Sequence, residues 1–225
     1  DTTSPTVLSI SPSDNQSGVS ITTDNISVTF SETMDNTSVT TNTGILLDNG
    51  SIASNTSCSG SFQLSSDNFS SCVQMSSSPT SSNSYKTFTL DPTSNLSFST
   101  TYKIRVTTGV KDIAGNTLSS QYESANGYTT NPAPYVAVGH IGNILTSTDN
   151  GSTWTSRTSG TSNTLRGVTY GNGLFVTVSE WGSILTSSDG TSWTSRTSGT
   201  SKTLFGVTYE NGTFVIVGID GTILT

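Results

Sequence analysis

The sequence predicts an all-β protein built from two modules, and three observations lead to this prediction. Short strand-like runs rich in β-branched and aromatic residues recur along the chain, for example at residues 26–30, 102–106 and 214–217. No stretch keeps the 3.6-residue period of an amphipathic helix. Residues 135–225 repeat themselves with offsets of 40 and then 39 residues. A repeat of about forty residues made of short strands and turns is typical of propeller blades.

Composition and charge restrict the class of protein. Hydrophobic residues make up 30% of the chain and charged residues only 10%, and the net charge is −7 with a pI near 4.4. The acidic balance argues against nucleic acid as a partner, because such binding needs a basic surface. No basic amphipathic segment and no apolar run of about 18 residues is present, so no membrane insertion is expected. Numbering opens in a polar stretch, and a signal peptide is expected to have been removed.

Cys58 and Cys72 are the only cysteines, and serine and glycine surround them. Their spacing predicts one disulfide that closes a short loop, and with it an oxidising, extracytoplasmic location. The alternative is a two-cysteine metal site, for which further ligands are missing because His140, the only histidine, lies far away in sequence. We therefore expect a disulfide, and neither a metal nor a cofactor.

The first module, residues 1–130, has the short strands and regular turn signals of a β-sandwich. Residues 18–23 are predicted to pair with residues 26–30 around residues 24–25. Residues 48–50 (DNG) predict a hairpin turn.

Four segments of this module are similar to the bacterial Ig-like domain of surface-layer proteins and other large bacterial surface proteins. They are residues 5–12 (PTVLSISP), 26–35 (ISVTFSETMD), 96–106 (LSFSTTYKIRV) and 110–116 (VKDIAGN). The resemblance implies an Ig-like sandwich that acts as a cell-surface spacer or assembly module. The region between Cys58 and Cys72 is an insertion on this pattern.

Residues 112–116 predict a turn, because an Asp side chain can bond the backbone two residues on, and Gly115 and Asn116 tolerate positive φ. The alternative is a calcium site formed by Asp112 with Glu32 or Asp35, which would need several converging oxygen ligands. We favour the turn.

Residues 131–134 (NPAP) are predicted to be a linker, since two prolines in three residues favour an extended, stiff connection. In the repeats that follow, at 135–225, residues 147–154 (STDNGSTW) and 187–193 (SSDGTSW) resemble the Asp-box of sialidase-like and photosystem-assembly-like propellers. The resemblance implies structural roles away from any active site for Ser147, Asp149, Gly151, Trp154, Ser187, Asp189, Gly190 and Trp193. The Asp would accept backbone hydrogen bonds, the Gly would take positive φ and the Trp would pack beneath.

Catalysis of the sialidase type would need an arginine cluster, a nucleophilic tyrosine and carboxylates. The available side chains are Arg157, Arg166, Arg196, Tyr170, Tyr209 and Glu180. Most of these occupy equivalent positions in successive repeats, as repeated structural contacts would. We therefore expect no catalytic residue.

Trp181 differs from its equivalents in the other repeats, Ile141 and Asp220. An exposed turn residue is the first interpretation, and a side chain that stacks on a sugar is the alternative.

Two repeats and one hairpin do not close a propeller, which takes roughly 4–8 blades. The chain is expected to be part of a longer protein, to have further blades that are disordered or excised, or to pair its open ends with other subunits; the first is preferred. The predicted function is a non-enzymatic structural or adhesive role, secreted or at the bacterial cell surface, in an assembly with other subunits that includes homo-oligomers and filaments. The alternatives are a propeller that binds a glycan or protein on an Ig-like stalk and, third, a fragment of a sialidase-like glycoside hydrolase.

Overall fold

The computed structural model describes residues 1–22, 26–46, 52–53 and 56–225. The chain forms two compact units, Asp1–Asn131 and Pro132–Thr225. Within the described ranges the regular structure is β-strand apart from three 3-10 turns of three residues each. The predicted all-β class is therefore confirmed.

The first unit is a sandwich of two antiparallel sheets. Its strands are β1 (Val7–Ser11), β2 (Ile26–Phe30), β3 (Ile45–Leu46), β4 (Ile52–Ala53), β5 (Phe62–Ser65), β6 (Thr80–Ser82), β7 (Thr87–Leu90), β8 (Thr101–Val106), β9 (Tyr122–Glu123) and β10 (Tyr128–Thr129). One sheet has the order β1-β2-β7-β6, and the other has the order β10-β8-β5 with β9 beside β8. The strands β3 and β4 form a separate pair.

The core of the sandwich follows from the alternation of apolar and polar residues. Strand β2 buries Ile26, Val28 and Phe30 completely and leaves the residues between them half-buried. Strand β8 of the other sheet shows the same alternation. Because successive side chains point to opposite faces of a strand, each sheet turns one apolar face inward. Phe30 and Phe88 meet edge to face in this core, with ring centroids 6.0 Å apart.

The strand pairing predicted for residues 18–23 is wrong within the described part of the chain. Val19 instead forms an isolated bridge with Thr130 near the end of the unit. Both edges of β2 are already paired, with β1 and β7, so no edge is left for residues 18–22. Residues 23–25 and the predicted hairpin turn at 48–50 lie outside the described residues, although β3 and β4 on either side of that turn pair antiparallel.

The second unit consists of three antiparallel sheets. Its strands are β11 (Tyr135–Val138), β12 (Ile144–Ser147), β13 (Thr155–Arg157), β14 (Leu165–Gly171), β15 (Leu174–Ser179), β16 (Ile184–Ser187), β17 (Thr194–Arg196), β18 (Leu204–Glu210), β19 (Thr213–Gly218) and β20 (Ile223–Leu224). The first sheet is β11-β12-β13, the second is β14-β15-β16-β17 and the third is β18-β19-β20. The four-stranded sheet starts with β14 at Leu165, whereas the sequence repeat that begins at Tyr135 starts with β11, the equivalent of β15. A structural repeat therefore begins one strand earlier than the sequence repeat.

Each of these sheets has two chemically different faces, because alternate residues point to opposite sides. The valine–isoleucine face carries a directly opposed pair on neighbouring strands: Val138 and Ile144, Val178 and Ile184, or Val217 and Ile223. The leucine face is the opposite side of the sheet. It carries the residue that directly follows each of these isoleucines: Leu145, Leu185 or Leu224.

The sheets stack with the valine–isoleucine face of one against the leucine face of the next. Ile144 of the first sheet forms one buried cluster with Leu165 and Leu185 of the second. Val178 of the second sheet forms an equivalent cluster with Leu204 of the third. Because full burial of such a side chain stabilises by roughly 1.5–3 kcal/mol, this repeated contact holds the stack together.

Candidate functional site

The two cysteines form a disulfide, with Cα atoms 4.8 Å apart. The predicted pairing is thus present, and it leaves no thiolate for a metal. The N–H of Cys72 donates to the carbonyl of Thr56, and the N–H of Val73 donates to the carbonyl of Leu64 in β5. The prediction that the region between Cys58 and Cys72 is an insertion is wrong, because the region contains β5, which pairs with β8 in the second sheet and buries Phe62 and Leu64 completely.

The turn after β12 is built by the side chains of Ser147 and Asp149. The Ser147 hydroxyl donates to Asp149 Oδ1 at 2.7 Å and accepts the N–H of Gly151 at 2.9 Å. Asp149 also accepts the N–H and the hydroxyl of Thr153. The hydrogen bond from the Thr153 hydroxyl is the main cause that lowers the pKa of Asp149 to about 2. We refer to this arrangement as a Ser–Asp turn.

The turn after β16 is a Ser–Asp turn that is one residue shorter. Ser187 donates to Asp189, which accepts the N–H groups of Thr191 and Ser192 at 2.7 and 2.8 Å. Burial raises the pKa of Asp189, but these hydrogen bonds outweigh it and lower the pKa overall. Gly151 and Gly190 take positive φ in the two turns, at 85° and 75°.

The tryptophans of the two turns differ in burial. Each indole N–H donates to the carbonyl of the turn glycine, at 3.0 Å for Trp154 and 3.1 Å for Trp193. Trp193 packs against the buried cluster between the first and second sheets. Trp154 has no preceding sheet in its unit to pack on and remains 44% exposed.

A third Ser–Asp turn lies in the first unit, at residues 65–72, and the sequence reading missed it. The Ser65 hydroxyl donates to Asp67 Oδ1 at 2.8 Å and accepts the N–H of Phe69 at 2.9 Å. Asp67 accepts the N–H and hydroxyl of Ser71, as Asp149 does from Thr153. Residues 65–71 share the pattern S-x-D-N-x-S-S/T with residues 147–153, a signal that a pattern requiring the glycine and the tryptophan overlooks.

This third turn has two substitutions that connect it to the sandwich. Phe69 takes the place of the turn glycine at φ 62°, an unusual conformation for a bulky residue. The centroid of its ring lies 3.6 Å from the guanidinium carbon of Arg105 in β8, a cation–π contact. Cys72 stands where the repeats have tryptophan, so the disulfide anchors this turn instead of an indole ring.

The arginines considered for substrate binding make repeated contacts with their own sheets. Arg157 Nε donates to Thr146 Oγ1 at 2.9 Å, and Arg196 Nε donates to Thr186 Oγ1 at the same distance. In both cases the partner threonine lies on the adjacent strand of the same sheet. The two arginines therefore perform the same local task in successive repeats.

The remaining sialidase candidates are also engaged within the sheets. Arg166 forms an ion pair with Glu180. Tyr170 and Tyr209 pack on equivalent phenylalanines, with ring centroids 4.5 and 4.6 Å apart. The structure thus places these side chains in separate contacts.

Trp181 lies at the centre of the 3-10 turn Glu180–Gly182, with φ 58° and 73% of its surface exposed. Its equivalents Ile141 and Asp220 also have positive φ, and Ile141 is exposed as well. Asp tolerates this backbone conformation, whereas Ile and Trp are outliers in it. Sugar stacking by Trp181 remains a prediction.

Asp112 is buried and bonds its own turn. Its Oδ1 accepts the N–H of Asn116 and its Oδ2 accepts the Asn116 side-chain amide, both at 2.8 Å. Gly115 supplies the positive φ of the turn, at 92°. Burial raises the pKa of Asp112, but the hydrogen bonds from Asn116 and the turn backbone outweigh it, and the pKa is lowered overall.

The structure brings two further acids near Asp112. Ligand atoms of Asp1, Glu32 and Asp112 lie within 4.8 Å of one another. Asp35 is not in this group, and its Oδ1 accepts the N–H and the hydroxyl of Thr37. No local sequence signal links Asp1 to this group, since only the fold brings the two ends of the unit together.

A cleft of about 400 Å³ lies beside the Asp112 turn. It is lined by Met34, Asp35, Asn36, Tyr85, Asp112, Ile113 and Gly115. Tyr85 and Ile113 are exposed there.

Three comparisons relate these features to known proteins. A family model described as bacterial Ig-like domain matches residues 1–130. No curated protein matches the chain. The third comparison, with solved structures, is described below.

Among the described residues, no helix has the length and apolar character needed to cross a membrane.

Similar solved structures include three of the surface layer protein SbsC. The structure of its domains 1–6 is 13% identical, with a TM-score of 0.37, over 99% of this chain and 34% of that one. The structure of rSbsC(31-844) is 14% identical, with a TM-score of 0.37 and the same coverage. The N-terminal part of SbsC is 14% identical, with a TM-score of 0.38, over 87% of this chain and 44% of that one. The chain therefore spans between a third and a half of the length of the chains in these structures.

Proposed function

The chain belongs to the bacterial Ig-like domain family, and on this premise we propose that it is a non-enzymatic structural or adhesive protein of the bacterial cell surface. The family match is the observation that carries the proposal, because it covers the whole sandwich of the first unit. Domains of this kind serve surface proteins as spacers and assembly modules. The partners would be other protein subunits of a surface assembly.

The disulfide supports an extracytoplasmic location. Cys58 and Cys72 are joined, and disulfides persist in oxidising environments such as the periplasm and the cell surface. The acidic net charge of −7 is unsuited to nucleic acid as a partner.

The second unit fits the same role. We propose that residues 1–130 form the Ig-like module, 131–134 the linker and 135–225 Asp-box propeller-type repeats. The stacked sheets and their two Ser–Asp turns support this division. Equivalent side chains, such as Arg157 and Arg196, make equivalent contacts, which is what a structural repeat requires.

Antibody labelling of intact cells tests the surface location. Antibodies raised against the purified chain should label intact cells of the source bacterium, and brief protease treatment of those cells should remove the label. A cytoplasmic protein of the same cells serves as the control and should be labelled only after lysis. If the chain too is detected only after lysis, the proposal fails.

Glycan binding through Trp181 is the second candidate, because this large aromatic side chain is exposed on a strained turn. Aromatic stacking contributes roughly 0.5–1.5 kcal/mol, so Trp181→Ala should weaken binding to a glycan array by up to about tenfold. Ile141→Ala, at the equivalent position of the first repeat, is the matched control. Absence of glycan binding by the wild-type chain, or equal binding by Trp181→Ala, excludes this function.

A further inference from the structure

The cleft beside the Asp112 turn combines an exposed aromatic ring with carboxylates, which is the chemistry that recognises a guanidinium group. We propose that this cleft binds an arginine side chain of a partner protein. The guanidinium would stack on Tyr85 and donate to the carboxylate of Asp35. This inference rests on the proposed structural role, which calls for other proteins as partners, and it names the surface and the side chain that it recognises.

The contact around Phe69 shows the same chemistry inside the first unit. The guanidinium carbon of Arg105 lies 3.6 Å from the centroid of the Phe69 ring. Arg105 also donates from Nε and Nη2 to Glu123 Oε2, at 3.1 and 2.9 Å. An aromatic ring and a carboxylate thus hold one guanidinium together, because this planar cation can stack and donate hydrogen bonds at the same time.

Tyr85 resembles Phe69 in its backbone but has an exposed ring. The two residues have φ 61° and 62°, and Tyr85 ends a turn at 83–85 in which all three residues have positive φ. The carbonyl of Tyr85 accepts the N–H of Met34 at 3.0 Å, which fixes this strained turn beside the cleft. The side chain of Tyr85 is nevertheless 50% exposed. Strain of this kind concentrates at binding sites, and here it holds an aromatic ring among the lining residues.

The charge of the cleft suits a cation. Its lining residues include two carboxylates, Asp35 and Asp112, and neither lysine nor arginine. Both hydrogen bonds from Thr37 go to Oδ1 of Asp35. Among the described residues none donates to the other oxygen, Oδ2, so this atom can accept a hydrogen bond from a ligand. The bond from the Thr37 hydroxyl is the main cause that lowers the pKa of Asp35, which is therefore ionised at neutral pH.

Lys111 is the cation that acts on Asp35 within the chain. Its charge contributes to the lowered pKa of Asp35, but the contribution is the smallest of the causes. In the part of the chain that the structure describes, the ion pairs are those of Arg105, Arg166 and Lys202, so Lys111 is not paired with Asp35. An arginine that enters the cleft therefore displaces no ion pair.

The size of the cleft suits a long side chain. Its volume of about 400 Å³ is within the usual range of ligand pockets, roughly 300–1,000 Å³. Met34 and Ile113 give the lining an apolar part, along which the aliphatic stem of an arginine can pack.

The cleft lies at the end of the sandwich where β2 and β8 end, since Met34 and Asp112 follow these two strands and bridge to each other. Asn131, the last residue of the unit, instead bonds Ser99, before the start of β8. Neither end of the chain is among the lining residues.

An NMR titration of the full chain with a capped Gly-Arg-Gly peptide tests the proposal. The backbone N–H signals of the lining residues should shift, with a dissociation constant of about 1 mM because a single side chain forms the contact. The same peptide with citrulline, a neutral isostere of arginine, should leave these signals in place. A lysine peptide should bind several-fold more weakly, since an ammonium group lacks the planar fork.

Two variants separate the aromatic part of the site from the ionic part. Tyr85→Ala and Asp35→Asn should each weaken binding of the arginine peptide by about tenfold, and Asn keeps an oxygen that can accept the bonds from Thr37. Tyr135→Ala and Glu210→Gln change an exposed tyrosine and an exposed glutamate of the second unit. They are the matched controls and should bind as the wild type does.

Three results overturn the proposal. They are the absence of shifts with the arginine peptide, equal binding of the citrulline or lysine peptide, and unchanged binding by Tyr85→Ala or Asp35→Asn. Circular dichroism of both variants should match the wild type, because neither side chain is buried.

The titration is independent of the surface location. A chain that is labelled on intact cells but does not bind the arginine peptide contradicts the arginine site alone. A chain that binds the peptide in this cleft but is found only inside cells contradicts the surface role alone.

Discussion

Gly182→Ala should destabilise the second unit by about 3 kcal/mol or more. Gly182 has φ 68°, a conformation that costs an L-residue roughly 1–2 kcal/mol. A Cβ at this position would also lie 1.9 Å from the carbonyl oxygen of Thr200 in the loop before the third sheet. Because that oxygen belongs to the backbone, the loop must move, which typically costs a further 1–3 kcal/mol, about as much as overpacking a core.

Gly221→Ala is the matched control for this substitution. Gly221 occupies the equivalent turn of the third sheet and has φ 71°, but a Cβ there would meet no atom within 4 Å. We therefore expect only the conformational cost, roughly 1–2 kcal/mol. The three tryptophans of the chain, Trp154, Trp181 and Trp193, all lie in the second unit, so their fluorescence during urea unfolding reports its stability. Equal losses in the two variants would mean that the contact with Thr200 has no energetic weight.

Removal of the disulfide, by Cys58→Ser together with Cys72→Ser, should lower the stability of the first unit by about 3 kcal/mol. The two cysteines are 14 residues apart in sequence, and closing a loop of this size reduces the entropy of the unfolded chain by about that amount. In a calorimetric scan the midpoint should fall by about 10 °C for a unit of this size.

Reduction of the wild type provides the control for the disulfide. A reducing agent should shift the wild type to the midpoint of the double variant and should leave the double variant unchanged. A loss below about 1 kcal/mol would show that the pairing of β5 with β8 and the hydrogen bonds of Thr56, Leu64 and the Ser–Asp turn hold this region without the disulfide.

The Ser–Asp turn shows how far a sequence pattern reaches. The turns at residues 147–154 and 187–193 are recognisable from sequence because they keep the glycine and the tryptophan. The turn at residues 65–72 forms the same Ser and Asp hydrogen bonds as the turn at 147–154, with Phe69 and Cys72 in place of the glycine and the tryptophan. The hydrogen bonds need only the Ser, the Asp, a Ser or Thr hydroxyl and a residue at positive φ. The turn is therefore a local folding device, and by itself it does not identify a propeller.

The acids around Asp112 show what a local sequence pattern cannot predict. The turn of residues 112–116 follows from local chemistry, because Asn116 is close enough in sequence to bond the Asp side chain. The approach of Asp1 and Glu32 depends on how distant segments meet at one end of the sandwich. The prediction that residues 18–23 pair with β2 was wrong for a related reason, because strand pairing also depends on distant segments. Both edges of β2 are paired with other strands, β1 and β7.

The sequence by itself determined the β class, the disulfide and the equivalence of the repeats, because alternation, cysteine spacing and near-identical segments are local properties. Only the tertiary structure decided which of the equivalent residues are buried. Ile144 and Ile223 stand in nearly identical segments, yet one is fully buried and the other is 67% exposed. The reason is that burial depends on whether a leucine face packs against the sheet, and that neighbour is not encoded in the residues of the sheet itself.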